Sequence, residues 1–210
     1  MVRAISSRLR AAVPDGRTVG TTFAGVGLAR HDHGDYWLVF NIGDSRVYRY
    51  VAGALTQVSV DHSVVQELVD RGIIEPAEAL QHPDRHVITR AIGTGPDPDA
   101  DYWLLRAGPA DRLLVCTDGL TDVLSDQDIA AVLHAVTDPQ AAAERLVDEA
   151  VRRGSRDNVT TIVVDVATGH ADDLGSTAER SRQDPQPWDE QSDGSTNPRV
   201  SRTRVPEVDR

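Results

Sequence analysis

The strongest constraint on the fold is a set of short apolar segments separated by turn residues and short helical stretches. Five of these segments are rich in β-branched and aromatic residues and have the length of strands. They are Tyr36–Ile42, Val47–Tyr50, Tyr102–Leu105, Arg112–Cys116 and Val159–Val164. Several are apolar on both faces, which predicts central positions covered on both sides. The strands come in groups rather than alternating with long helices, so the pattern favours an antiparallel α+β or sandwich architecture over a parallel doubly wound sheet.

Helix boundaries are marked by capping residues. Ser63 begins a helix in a capping-box pattern with Gln66, and Gly72 ends it. Ser125 begins a second helix, and Asp138-Pro139 begins a third that ends at Gly154. Three further elements are predicted: a helix within Met1–Asp15 from the spacing of Ile5, Leu9 and Val13, a short helix over Pro76–Gln81, and a strand within Thr18–Leu28.

Composition narrows the classes of protein that this chain can belong to. The sequence lacks an apolar run near the roughly 20 residues of a membrane helix, and it lacks a secretory leader, so we expect a soluble cytoplasmic protein. The net charge of −11 argues against nucleic acid or an anionic membrane as a partner. The single cysteine, Cys116, lies in an apolar run and is expected to be a buried hydrophobic residue.

The composition changes near Thr168. From residue 168 to residue 210 the sequence is polar, with only scattered apolar residues such as Leu174 and Trp188. Such a segment cannot bury enough apolar area to offset its ordering entropy. We therefore expect a folded domain over residues 1–167 and a disordered tail over residues 168–210.

Three aspartates share one setting, at the end of an apolar strand and beside a turn. They are Asp44, Asp118 and Asp157. A carboxylate at a strand end is held by the sheet while it faces a loop rim that a cation can reach, and oxygen ligands suit Mg²⁺ or Mn²⁺ better than zinc. The alternative is that each aspartate caps its own turn, as aspartate often does.

Other candidate residues fit simpler roles. His31 and His33 lie in a polar loop and are expected at a hairpin tip. Asp61 and Ser63, which flank His62, are explained by a helix N-terminus. Cys116 is followed by Thr-Asp-Gly-Leu-Thr-Asp, which lacks the arginine of cysteine-dependent phosphatases. That mechanism is excluded.

Six motifs, in order along the chain, resemble those of the PPM-type (protein phosphatase 2C) metal-dependent serine/threonine protein phosphatases. They are Gly20-Thr21-Thr22, Ile42 to Arg49, Val60 to Ser63, Val87 to Gly93, Thr117 to Asp122 and Asp157 to Thr160. The resemblance covers residues 17 to 166 and implies two stacked antiparallel β-sheets flanked by helices, an α+β fold with a metal cluster at one end.

By the same resemblance, Asp118 and Asp157 match the aspartates that bind the core metal pair, and Asp44 matches the acidic residue of an additional metal site. Residues 63 to 90 correspond to a flap beside the cleft. The family uses two or three Mn²⁺ or Mg²⁺ ions to activate a water that attacks phosphoserine or phosphothreonine. Phosphorylated proteins are the implied partners, and serine/threonine protein kinases are candidates among them.

The family's first segment is not found in this sequence. That segment carries an arginine for the substrate phosphate and an aspartate that bridges both metals, so those catalytic residues are expected to precede Met1, and the activity of residues 1–210 alone is in doubt. We therefore expect this chain to contain the C-terminal two-thirds of the family's phosphatase domain. Two alternatives stay open: a non-catalytic phosphatase-like interaction module, and a regulatory phosphatase of the sporulation or sigma-factor-control type.

Overall fold

The computed structural model describes residues 2–12, 19–31, 34–96 and 98–166. In chain order the elements are α1 (Val2–Ala12), β1 (Phe23–His31), β2 (Gly34–Ile42), β3 (Arg46–Val51), β4 (Ala54–Gln57), α2 (Val64–Asp70), α3 (Pro76–Ala79), β5 (Asp101–Arg106), β6 (Arg112–Cys116), α4 (Asp118–Thr121), α5 (Asp126–Ala135), α6 (Pro139–Arg152) and β7 (Thr161–Asp165). No helix among these residues is long and apolar enough to cross a membrane. The predicted tail, residues 168–210, lies outside the described residues, as does His33.

The strands form two antiparallel sheets, as predicted. One has the order β1-β2-β5 and the other the order β4-β3-β6-β7. β1 and β2 form a hairpin in which His31 pairs with Gly34, which confirms the predicted reversal of the chain there. In the larger sheet, Cys116 of β6 pairs with Arg46 of β3 on one side and with Thr161 of β7 on the other.

Two apolar layers hold these elements together. The first lies between the sheets, where Val39, Val47 and Val115 are buried together and Trp103 and Leu105 pack against them. The second lies between the larger sheet and its covering helices. Its buried members include Tyr48, Leu114, Leu120, Ile129 and Leu146. Because β6 contributes to both layers, all five of its residues are buried, as the apolar sequence predicts.

The predicted helix caps are largely confirmed. The side chains of Ser63, Ser125 and Asp138 each accept a hydrogen bond from the backbone three residues later. The capping box predicted for Ser63 is only half formed, because the side chain of Gln66 donates to Asp70 on the next turn instead. The role predicted for Asp61 at the same helix end is wrong, since its carboxylate pairs with Arg46.

Other elements differ from the sequence prediction at their ends. β7 begins at Thr161 rather than Val159, because the hydroxyl of Thr117 accepts from the Thr160 amide. β1 begins at Phe23, after Thr21 makes an isolated bridge to Ile92. β5 is not covered on both faces as expected: Tyr102 and Leu104 are exposed. Cys116 is buried as expected, and burial raises the pKa of its thiol to about 12.

Candidate metal centre

The three predicted aspartates lie at one end of the larger sheet. Asp118 lies two residues beyond the end of β6, Asp157 lies in the loop that leads into β7, and Asp44 lies in the turn that leads into β3. Because β6 is antiparallel to both neighbours, its C-terminal end is adjacent to the N-terminal ends of β3 and β7. The sheet topology therefore brings together carboxylates that are up to 113 positions apart in the sequence.

The loops of Asp118 and Asp157 are bonded directly to each other. The hydroxyl of Thr117 donates to the carbonyl of Asn158 at 3.1 Å, and the hydroxyl of Ser155 donates to the carbonyl of Gly119 at 2.8 Å. A Cβ atom on Gly119 would lie 2.5 Å from the Asn158 carbonyl oxygen, so only glycine permits this approach. The separation of the two aspartates is thus set by two hydroxyl-to-carbonyl hydrogen bonds and by the close approach of Gly119 to Asn158.

Each of these two carboxylates uses one oxygen for its own turn. Oδ1 of Asp118 accepts from the Gly119 amide at 2.9 Å, and Oδ1 of Asp157 accepts from the Asn158 amide at 2.7 Å. The turn-capping alternative considered for the sequence is therefore also realised. Within the described part of the chain, no hydrogen bond occupies Oδ2 of either residue, so both oxygens remain available as ligands.

Like charges surround Asp118. Burial, followed by the neighbouring carboxylates of Asp122 and Asp157, raises the pKa of Asp118 above its ordinary value. Burial, followed by the charge of Asp118, raises the pKa of Asp44 to about 6. A cation that binds among carboxylates that repel one another in this way stabilises the protein, because it offsets their repulsion.

Two further candidate ligands were missed by the sequence analysis. Ligand atoms of His86, Asp118 and Asp122 all lie within 4.8 Å of one another, and Nδ1 of His86 is 3.7 Å from Oδ2 of Asp122. Asp44 and Asp157 are not members of this trio, although each interacts electrostatically with Asp118. Asp122 could have been found from its spacing, since it follows Asp118 by one helical turn, whereas His86 reaches the site only through tertiary folding of residues 82–90.

The turn that carries Asp44 is held in place through contacts with the preceding residue, Gly43. Gly43 adopts a φ of +107°, and a Cβ atom there would lie 2.3 Å from Cγ2 of Thr22. Its amide donates to Nδ1 of His62 at 3.0 Å, and its carbonyl accepts from Nδ2 of Asn41 and from the His62 amide, each at 2.9 Å. Every backbone polar group of Gly43 is therefore fixed.

The positive charge closest in sequence to Asp44 is already paired. Arg46 binds Asp61 through two nitrogens, with Nη2 at 2.7 Å from Oδ2 and Nε at 3.1 Å from Oδ1. Asp61 is only 8% exposed and also accepts from Gln57. Arg46 is thus paired with Asp61, and its charge only partly offsets the rise in the pKa of Asp44.

Comparison with known proteins agrees with this architecture. The family model described as "Protein phosphatase 2C" matches residues 96–159. The serine/threonine protein phosphatase PstP of Mycobacterium tuberculosis is 42% identical over 170 residues, which is 79% of this chain and 32% of PstP. The chain thus spans about a third of the length of that curated relative.

Solved structures give the same result. The PPM Ser-Thr phosphatase MsPP of Mycobacterium smegmatis, in complex with cacodylate, matches with a TM-score of 0.71 at 40% identity. The match covers 78% of this chain and 70% of the MsPP chain. The catalytic domain of PstP in complex with two manganese ions has a TM-score of 0.63 at 37% identity, with 78% and 66% covered. Two antiparallel sheets flanked by helices are common to these proteins and this chain. The chain belongs to the PPM family of serine/threonine protein phosphatases, also called protein phosphatase 2C.

Proposed function

We propose that this chain contributes metal-binding residues to a phosphatase that removes phosphate from phosphoserine and phosphothreonine in proteins. The observation that carries the proposal is the position of Asp118: it follows a fully buried strand, keeps Oδ2 free among the described residues, and lies near the carboxylates of Asp122 at the end of its own helix and of Asp44 and Asp157 on two other segments. Such a set of carboxylates would be unfavourable without a cation to balance it.

The donor set fits Mn²⁺ or Mg²⁺. Asp118 and Asp157 would hold the core ions, and Asp44 would serve an additional ion together with Asp118. Carboxylate oxygens are preferred by these hard cations, and an imidazole such as that of His86 is also acceptable to Mn²⁺. The PstP relative with two manganese ions supports the choice of metal. When bound, such ions activate a water for in-line attack and neutralise charge that develops on the phosphoryl group.

Other residues of this chain would hold the three candidate metal ligands in position. The Thr117 and Ser155 hydrogen bonds hold the Asp118 and Asp157 loops at a fixed separation, and Gly43 fixes the turn before Asp44. Preorganised ligands of this kind avoid a reorganisation cost during the reaction. No side chain here is proposed as a covalent nucleophile, and the buried Cys116 thiol, with its raised pKa, is unsuited to that role.

The substrate class and setting follow from the family. We propose phosphorylated proteins as substrates, with serine/threonine protein kinases among the candidate partners, and a role in cytoplasmic signalling. Two related readings are kept as outcomes of the test. One is an interaction module that binds metal or phosphoprotein without turnover. The other is a regulatory phosphatase of the sporulation or sigma-factor-control type, which would act on one phosphorylated partner and not on general peptides.

The proposal is tested by phosphate release from a phosphothreonine peptide and from an aryl phosphate, with and without Mn²⁺, by this chain joined to the family's first segment, which supplies the phosphate-binding arginine and the bridging aspartate. We expect release that requires the metal and that falls by about a hundredfold or more in Asp118→Asn, since removing one key electrostatic group costs on the order of that factor. Asp148→Asn is the matched control, because Asp148 is an exposed aspartate of α6. Turnover that persists in chelator would contradict the proposal, and Mn²⁺ binding without turnover would favour the interaction module.

A further inference from the structure

His62 lies under the Asp44 turn and contacts it twice. The imidazole Nδ1 accepts from the amide of Gly43 at 3.0 Å, and the backbone amide of His62 donates to the carbonyl of Gly43 at 2.9 Å. His62 is only 3% exposed. A buried side chain that satisfies a buried backbone amide cannot be replaced by water without local opening, so these contacts define the conformation of the residue before Asp44.

The second ring nitrogen of His62 connects this turn to the smaller sheet. Because the Gly43 amide must be the donor to Nδ1, that nitrogen carries the lone pair and Nε2 carries the hydrogen. Nε2 then donates to Oδ2 of Asp101, the first residue of β5, at 3.1 Å. The hydrogen-bonding pattern therefore selects one tautomer of the ring and fixes its orientation.

Asp101 extends the connection to the segment that carries His86. Nη1 of Arg90 donates to Oδ1 of Asp101 at 2.9 Å, and the amide of Thr89 donates to the carbonyl of His62 at 2.8 Å. Although partial burial acts to raise it, hydrogen bonds from His62 and Arg90 keep the pKa of Asp101 below its ordinary value. Residues 89–90 and the Asp44 turn are thus held by the same histidine.

We propose that His62 is a positioning residue for the metal centre: through Gly43 it fixes the turn that presents Asp44, and through Asp101 and Arg90 it ties that turn to the segment that follows His86. This inference rests on the proposed function, because positioning matters only if Asp44 is a ligand. The sequence points to a plainer role for the residues that flank His62, at a helix start, but the side chain that caps α2 is that of Ser63, whereas the ring of His62 bonds to Gly43 and Asp101.

Three substitutions separate the two ring contacts. His62→Asn keeps an acceptor oxygen near the position of Nδ1 and loses the contact to Asp101. His62→Gln keeps a donor near the position of Nε2 and loses the acceptor for Gly43. His62→Ala removes both. His134→Asn is the matched control, because His134 also makes a part-buried hydrogen bond through Nδ1, to the hydroxyl of Tyr50, but on α5.

The first measurement is amide hydrogen exchange of the full chain without metal. We expect exchange at Gly43 to accelerate by about tenfold in His62→Gln and His62→Ala, as for the loss of one buried hydrogen bond, and by less than about threefold in His62→Asn. The amide of Val47, which donates to Ser59 Oγ at 2.9 Å, serves as the internal control and should not change. Equal acceleration at both amides, or none at Gly43, would overturn the proposal.

The second measurement is Mn²⁺ affinity of the same variants by electron paramagnetic resonance. We expect weakening of about tenfold in His62→Gln and His62→Ala, a smaller loss of about threefold in His62→Asn, which gives up only the contact to Asp101, and no change in His134→Asn. Wild-type affinity in His62→Ala overturns the positioning role while leaving the metal centre intact. A wild-type chain that binds no Mn²⁺ overturns the proposed function and, with it, the positioning role.

Discussion

Arg46 and Asp61 form a two-pronged ion pair directly after the Asp44 turn, with 2.7 Å between Nη2 and Oδ2. Asp61 is almost fully buried, and the Arg46 side chain is 28% exposed. Nη1 of Arg46 also donates to the hydroxyl of Tyr48. The pair joins the start of β3 to the loop that carries His62, so it stabilises the two segments that hold the Asp44 turn in place.

Removing one member of this pair should destabilise the protein. In Asp61→Asn the partly buried guanidinium keeps its charge but loses its counterion, and we expect the free energy of unfolding to fall by about 3 kcal/mol. Urea unfolding followed by circular dichroism measures this loss. Glu67→Gln, which breaks the exposed pair with Arg71, should cost at most about 0.5 kcal/mol. Equal losses in the two variants would show that the Arg46–Asp61 pair is only a surface interaction.

The contact between the Asp118 and Asp157 loops should not tolerate a side chain at residue 119. The added Cβ of Gly119→Ala would meet the carbonyl oxygen of Asn158 at 2.5 Å. We expect a loss of about 2 kcal/mol in unfolding free energy, because the backbone must shift, together with weaker Mn²⁺ binding.

Gly27→Ala is the control for that substitution. Gly27 lies on β1, and a Cβ there would meet no atom within 4 Å. We expect this variant to match wild type in both stability and metal affinity. If Gly119→Ala behaved like Gly27→Ala, the close approach of the two loops would not be needed for the site.

The raised pKa of Asp44 predicts an unusual pH dependence for the metal-free protein. The unfolded carboxyl titrates near 3.8 and the folded one near 6, so the folded state binds more protons between those values. Stability from this group is therefore gained on acidification and lost as the pH rises through that range. In chelator, Asp44→Asn should be more stable than wild type at pH 7, and the difference should shrink at pH 5. A difference that is independent of pH would contradict the pKa shift.

The polar segment after residue 168 is predicted to be dispensable for folding. Its composition provides too little apolar area to stabilise a core. Deletion of residues 169–210 should leave the thermal midpoint within about 2 °C of the full chain, because a segment of this composition is not expected to contribute to the core. A drop of more than a few degrees would show that this segment packs on the domain.

Much of the fold can be predicted from local sequence signals. Ser125 and Asp138 mark helix starts, and the apolar sequence of Arg112–Cys116 marks a buried central strand. β4 was missed because Ala54–Gln57 is short and partly polar. The single turn of α4, which begins at Asp118, was also missed, since four residues give no periodicity to detect.

The candidate site was only half visible in the sequence. Asp44, Asp118 and Asp157 each follow or precede an apolar strand, which is a local pattern. His86 and His62 have no such pattern, because their roles depend on contacts with Asp122 and Gly43 that arise only when distant segments meet. A side chain that works through tertiary contacts leaves no signal in its neighbours along the chain.

The most direct test of this account is a Mn²⁺ titration of the full chain, followed by electron paramagnetic resonance, in wild type, Asp118→Asn and Asp148→Asn. Because Asp118 lies beside Asp44, Asp122 and Asp157, we expect its substitution to weaken binding by at least about a hundredfold, as for the loss of a ligand. Asp148→Asn should bind like wild type. Equal Mn²⁺ affinity in all three proteins would contradict the assignment of this sheet end as a metal centre.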